Sequence, residues 1–201
     1  PAGGTPQNRQ YIYSAAGDIT EIDDLSWVEH YYYSYDKLHR LTSETTSTGS
    51  MGVSPGIFAL SYNDPSHIHA VSTVTSKGID YTFSYDDNGN QLSGPDLTDA
   101  QNIVQRTLAF NADNMPTQVA HPSGGTINLA YDGESRRAKK TGPNGTTYYF
   151  SDEFEIINNV ETCYIFAGNL RVAMVKNNQV DSAIYFHKDH LGSSTILTRA
   201  D

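Results

Sequence analysis

Cysteine is almost missing from this chain. Among 201 residues there is one, Cys163, so no disulfide can close within the chain and a small disulfide-stapled fold is excluded. Its neighbours, Glu161 to Phe166 (ETCYIF), alternate like a strand, and Cys163 is expected there as a small buried hydrophobe, not a reactive thiol. Positive charge is scarce too: 13 Lys and Arg stand against 23 Asp and Glu, a formal net charge of −10. The acidic groups are scattered and no basic stripe exists to release counterions from a phosphate backbone, which argues against a nucleic-acid partner. No apolar run approaches the roughly 18 residues a helix needs to span a bilayer. The chain opens on Pro1 without a charged segment leading into an apolar one, and it reads as a piece of something longer.

In place of charge and long apolar runs the sequence holds Tyr, Thr, Ser, Asn and Gly, residues that suit strands and turns better than helices. The 14 tyrosines are not randomly placed. Five of them head similar phrases: Tyr13 (YSAAGDI), Tyr35 (YDKLHRL), Tyr62 (YNDPSHI), Tyr85 (YDDNGNQL) and Tyr131 (YDGESRRA), with Phe110 (FNADNMP) as a degenerate sixth. Successive heads are 22, 27, 23, 25 and 21 residues apart, a loose period. In each phrase an aromatic ends a strand, Asp, Asn or Ser caps a tight turn, a polar or Gly position reverses the chain, and extended structure restarts.

The segments feeding these turns alternate with period two. Tyr31, Tyr33 and Tyr35 share one face, as do Tyr81, Phe83 and Tyr85, and Ile127, Leu129 and Tyr131. Further hairpin signals are Pro143-Asn144-Gly145, Ala167-Gly168-Asn169 and Lys176-Asn177-Asn178. The best candidate for a single helical turn is Asp96 to Gln105 (DLTDAQNIVQ). The expected fold is all-β: one domain over 1–201, a long antiparallel strand-turn-strand meander of about fifteen short strands. Two strands cannot bury a face alone, so neighbouring units must stack, and the outer edges need partners from the same polypeptide.

Tyr35-Asp36 with Arg40-Leu41, Tyr85-Asp86 with Gly89-Asn90, and Tyr131-Asp132 with Arg136-Arg137 resemble the tyrosine-aspartate repeats of Rhs proteins, insecticidal toxin-complex shell components and, more distantly, teneurins. YFHKDHLGSSTILT, which contains His187, Asp189, His190, Leu191, Gly192 and Ser193, resembles the opening of the Rhs repeat-associated core. TTYYFSDEFEI and YIFAGNLRVAMV resemble the segments that precede that string. The resemblance implies repeats over about 1–145, the start of the core over 146–201, and a spiralling β-sheet shell that encloses a C-terminal payload. It also implies a secreted or cell-surface bacterial setting, with the remainder of the polypeptide, the payload and toxin-complex subunits as partners. In several members of the family an aspartic autoprotease element frees the payload; the sequence stops at Asp201, before that element, and its carboxylates have no counterpart here. Ser14, Asn63 and Asn111 stand where the repeat would have Asp, and each is expected to cap the same turn.

Read for chemistry alone, the motifs favour structure. His187 and His190 fall on opposite faces of an extended segment and lack further ligands; Asp189 is expected to cap a turn, Gly192 to supply its backbone angle, and one of the two histidines to donate to a carbonyl. His67-Ile68-His69 would place two imidazoles on one side of a strand, again without a third ligand. Asp86-Asp87-Asn88-Gly89-Asn90 is rich in oxygen but has Gln91 and Leu97 where a calcium loop needs Gly and Glu. No Gly-x-Ser-x-Gly elbow or P-loop is present. No catalytic residue, metal or cofactor is assigned. A non-enzymatic shell segment is the leading reading. An adhesion or glycan-binding module with exposed aromatics is the alternative, and a hydrolase with converging carboxylates the third.

Overall fold

The computed structural model describes residues 8–26, 29–47, 58–99, 102–189 and 192–199. The regular structure of the described residues is almost wholly antiparallel strand, in two compact units, 1–107 and 108–201. In the first unit, β1 (Arg9–Tyr13), β2 (Ile19–Asp24), β3 (Glu29–Tyr35), β4 (Leu41–Ser47), β5 (Phe58–Ser61), β6 (Thr73–Ser76) and β7 (Ile79–Thr82) form one sheet. Then follow β8 (Ser84–Tyr85), β9 (Gln91–Asp96) and β10 (Val104–Phe110), within which the boundary falls. The second unit carries β11 (Pro116–His121), β12 (Gly125–Tyr131), β13 (Arg137–Gly142), β14 (Gly145–Tyr149), β15 (Phe154–Ile157), β16 (Val160–Ala167), β17 (Leu170–Lys176), β18 (Ile184–Lys188) and β19 (Ser194–Arg199). Within each sheet every strand pairs with its neighbours in sequence.

The all-β antiparallel reading holds, with nineteen strands among the described residues where about fifteen were expected. Asp96 to Gln105 is not helical where it is described: Asp96 ends β9, Val104 opens β10, and Asp96 and Val104 pair across the turn between them. Asn102 closes that turn by donating to the Asp99 carbonyl at 3.1 Å. A short 3-10 turn lies instead at Val180–Ser182. It belongs to the longer connection after Lys176, where Asn177 and Asn178 both take positive φ but close no two-residue hairpin. An unpredicted tight hairpin, with positive φ at both central residues, is made by Asn158-Asn159 between Ile157 and Val160.

The faces alternate as read. Tyr31, Tyr33 and Tyr35 are half-buried while Tyr32 and Ser34 are exposed, and the same holds for Tyr81, Phe83 and Tyr85 and for Ile127, Leu129 and Tyr131. Fully buried apolar side chains are few among the described residues: Val74 and Pro95 in the first unit, and Ala173, Val175 and Ala183 in the second. Cohesion therefore rests on backbone pairing and cross-strand contacts more than on a thick core. One buried charge, Asp24, is paired with its cross-strand neighbour Arg9 at 3.0 Å and also accepts from the Ser26 amide.

Cys163 departs from its expected burial: it is exposed. β16 alternates as the sequence suggests, but with the opposite phase. Thr162 (0 % exposed) and the half-buried Tyr164 occupy one side of the strand, and Cys163 lies with Ile165, itself 46 % exposed, on the other.

Candidate functional site

Five of the six repeat heads share one turn. After Tyr35 the chain closes with Asp36: its amide donates to the Arg40 carbonyl at 3.0 Å and its carbonyl accepts from His39 at 3.1 Å. Its Oδ1 accepts the amides of Leu38 (2.8 Å) and Arg40 (3.1 Å), and His39 sits at φ 59. A three-residue connection ending in a left-handed residue, followed by a register shift at Ser34/Tyr35, has the form of a type I turn with a G1 bulge.

The same frame recurs at Asp86 and Asp132, whose Oδ1 atoms accept the amides two and four residues on, at 2.8 to 3.0 Å. Ser14 and Asn111 do likewise through Oγ and Oδ1. The residue three beyond each cap is left-handed in every case: Gly17, His39, Gly89, Asn114 and Ser135. An added Cβ at Gly17 or Gly89 would meet nothing within 4 Å, so backbone conformation, not space, sets the preference for glycine there.

Asn63 does not fill this role. Two residues on stands Pro65, which has no amide to donate. The cap moves to Asp64, whose Oδ1 accepts from Ser66 at 2.9 Å, while the Asn63 amide donates to Ser72 Oγ.

The head tyrosines do a second job. Tyr35 donates its hydroxyl to the Ile19 carbonyl (2.9 Å), Tyr62 to Leu41 (2.8 Å), Tyr85 to Val71 (2.8 Å) and Tyr131 to Pro116 (2.7 Å). Ile19, Leu41 and Pro116 each open the strand that leaves the preceding turn. Each hydroxyl thus ties one repeat to the one before it, a bond Phe110 lacks the atom to make. Burial raises the pKa of Tyr35, Tyr62 and Tyr85, and it pushes Tyr33 up to about 12.

Within the first unit the turns also touch in succession. His39 Nδ1 lies 3.0 Å from Asp18 of the previous turn. Arg40 pairs with Asp36 at 2.5 Å, stacks 4.3 Å from the Tyr62 ring centroid and donates to the Ile68 carbonyl. His67 places Nδ1 2.8 Å from Asp64 and Nε2 2.9 Å from the Asp86 carbonyl, packed 5.4 Å from Tyr85. Both partners of His67 are acceptors, so only the imidazolium satisfies both, and the Asp64 bond raises its pKa. His67 and His69 are therefore not a strand-borne ligand pair; they lie in a turn, and both His67 nitrogens are committed.

Asp189 of the HKDHLGSS stretch occupies the same turn frame. Its amide donates to the Ser193 carbonyl (2.9 Å), its carbonyl accepts from Gly192 (3.1 Å), its Oδ1 accepts the Ser193 amide (2.9 Å), and Gly192 has φ 87. His187 Nε2 lies 2.8 Å from the Thr198 hydroxyl, not from a carbonyl. His190 and Leu191 lie outside the described residues. The shared Asp-x-x-Gly spacing of Asp86-Gly89 and Asp189-Gly192 was the signal that links the two motifs.

The Asp86 loop, with its oxygen-rich look, spends its carboxylate on the amides of Asn88 and Asn90 and the Asn90 side chain. Glu21, Asp23 and His30 bring donor atoms within 4.8 Å of one another, a group the sequence did not announce because it needs the β2–β3 register. His30 Nδ1 already sits 2.5 Å from Asp23, so a hydrogen bond between the two accounts for it.

The fold and these turns define a strand-turn-strand array, and solved structures of that kind are similar to it. No family model matches the sequence, and no curated protein matches it. The crystal structure of TcdB2-TccC3-Cdc42 superposes with TM-score 0.58 at 14 % identity, over 97 % of this chain and 13 % of that one. The crystal structure of TcdB2-TccC3 gives TM-score 0.50 at 16 % identity, over 97 % and 13 %. The structure of the Photorhabdus luminescens Tc holotoxin pore gives 0.49 at 13 % identity, over 96 % and 15 %. At such identities the likeness is one of fold, and this chain spans a small fraction of those chains.

Proposed function

We propose that this chain is a non-enzymatic segment of a tyrosine-aspartate-repeat β-shell of the Rhs and toxin-complex kind, one that encloses a C-terminal payload. The observation that carries the reading is the recurrent capped turn tied to its predecessor by a tyrosine hydroxyl, as at Tyr131 and Pro116. Such a unit extends by repetition and needs no bound group to hold its form. The likeness of fold to the TcdB2-TccC3 chains supports it.

On this reading Tyr13, Tyr35, Asp36, Tyr62, Tyr85, Asp86, Phe110, Tyr131 and Asp132 are structural repeat heads over about 1–145. His187, Asp189, His190, Leu191, Gly192 and Ser193 open the core. The partners are the rest of the same polypeptide, the payload and toxin-complex subunits, in a secreted or cell-surface setting. The test is intact mass and a denaturing gel of the native gene product purified under non-denaturing conditions. A severed C-terminal polypeptide that co-purifies with the fragment bearing YFHKDHLGSS is the expected result. A single uncut product with no variable C-terminal region removes the payload reading.

A further inference from the structure

The second unit contains a cleft of about 510 Å³ that the turn ladder does not use. Its walls come from the turn after β12, the loop between β14 and β15, and side chains of β16 and β17. The volume lies in the range of small-ligand sites.

Phe150 provides an apolar plate. It is 64 % exposed, and its orientation is set by Phe154, whose ring centroid is 5.5 Å away. The loop beneath it is closed by the Phe150 amide donating to the Phe154 carbonyl (3.1 Å) and the Glu153 amide to Ser151 Oγ (3.2 Å). The two tyrosines of the cleft are less open to stacking: Arg171 lies 4.0 Å over the Tyr164 ring and Arg137 5.7 Å over Tyr149.

The polar wall holds both kinds of hydrogen-bonding group. Among the described residues, the carboxylates of Asp152 and Glu153 have no hydrogen bond or ion pair, and the Arg137 guanidinium has none either and lies over the Tyr149 ring. Glu155 accepts from the Tyr164 hydroxyl, and Arg136 is paired with Asp132 (3.1 Å) and Glu134 (3.1 Å). Free acceptors and a free planar donor therefore face the same space, in near balance of charge. An anion would be repelled by Asp152 and Glu153, and a cation by Arg137 and Arg171. A neutral hydroxyl meets both, donating to a carboxylate while accepting from a guanidinium.

We infer that this cleft binds a neutral saccharide, with a sugar C–H face laid on Phe150 and vicinal hydroxyls shared between Arg137 and the carboxylates of Asp152 and Glu153. The inference rests on the cleft alone and stands apart from the shell reading.

The test is saturation-transfer NMR on the native full-length polypeptide with maltose, cellobiose, lactose, sucrose and chitobiose, each at several times a Kd of about 1 mM. At least one disaccharide receives saturation, and its affinity falls about tenfold in Phe150→Ala, the loss of one stacking contact. Glu153→Gln weakens the same sugar. Both side chains are exposed, so Glu153→Gln keeps the parent melting temperature and Phe150→Ala lowers it only by its contact with Phe154. The inference is overturned if no disaccharide receives saturation, if saturation persists unchanged in both variants, or if inorganic sulfate competes for the site at equal concentration.

Discussion

Tyr131 donates its phenolic hydrogen bond to the carbonyl of Pro116, 2.7 Å away and one repeat earlier. The same link at Tyr35, Tyr62 and Tyr85 makes the hydroxyl, not the ring alone, part of the repeat. Tyr131→Phe keeps the ring and removes the donor, leaving a half-buried carbonyl without its partner. A loss of about 1 kcal/mol follows, read as a lower urea midpoint at unchanged slope. Phe110→Leu, at a head without a hydroxyl, gives the comparison: it loses packing but no such bond.

Capping carries more than one bond per residue. Asp36→Ala strands the amides of Leu38 and Arg40 and removes the Arg40 ion pair, so it lowers the melting temperature clearly. Asp36→Asn keeps the two amide bonds and lowers it by less than half as much. Asn111→Asp leaves stability within about 0.5 kcal/mol of the parent, since the same Oδ1 accepts the same amides. Thermal melts of the three variants order these effects.

The left-handed position of each turn is occupied by Gly in some repeats and by another residue in others. Gly89→Ala is destabilising by about 1 kcal/mol and Ser135→Gly stabilising by a comparable amount. Both changes occur at exposed positions, so denaturation midpoints read the backbone cost directly. Equal and same-signed shifts would show that φ is not what selects the residue.

Gly145 is constrained twice. It has φ 107, and an added Cβ would lie 1.8 Å from Asn158 Oδ1, the atom that accepts the Thr146 amide at 2.8 Å. Gly145→Ala therefore displaces the Asn158 side chain and costs upwards of about 2 kcal/mol. Combining it with Asn158→Ala recovers the steric part, and a double-mutant cycle measures the coupling.

The titrating groups bound a pH window. Asp36, Asp64, Asp86 and Asp132 have carboxyls held below the ordinary 3.8, by Arg40, by His67, by the Asn90 side chain and by the Arg136 amide respectively. Their contribution is present above 3.8 and is lost as pH falls through the lower folded values. His67 is raised above 6.5 by Asp64, so its contribution is complete below 6.5 and is lost as pH rises through the folded value. Tyr31 and Tyr164 are pushed up to about 12, Tyr31 chiefly by its bond to Glu29 and Tyr164 by burial, so a further loss sets in between 10 and about 12. Melting temperature against pH should peak between about 4 and 6.5, and His67→Gln should flatten its neutral limb.

The period of two was legible in the sequence because Tyr31-Tyr33-Tyr35 and Ile127-Leu129-Tyr131 put their apolar atoms on alternate positions. So was the turn, because Asp, Asn and Ser following an aromatic have a local reason to cap. Phase was not legible at Cys163, where Thr162 and Tyr164 on one side and Cys163 and Ile165 on the other are equally at home in a strand. The shift of a cap from Asn63 to Asp64 turned on the missing amide of Pro65, a fact that stands in the sequence but matters only once the i+2 bond is known. The cleft beside Phe150 gathers residues from 132 to 171, and no local pattern announces a site assembled from that many strands.

Within each sheet, every strand after the first lies beside the one made just before it. Its partner has already left the ribosome when it emerges, at about 5–20 residues per second, and the loop to be closed is short. A chain of this pattern has no need to wait for its far end: it can be laid down in order, each new length finding its template in the length before, as a course of bricks is set on the last.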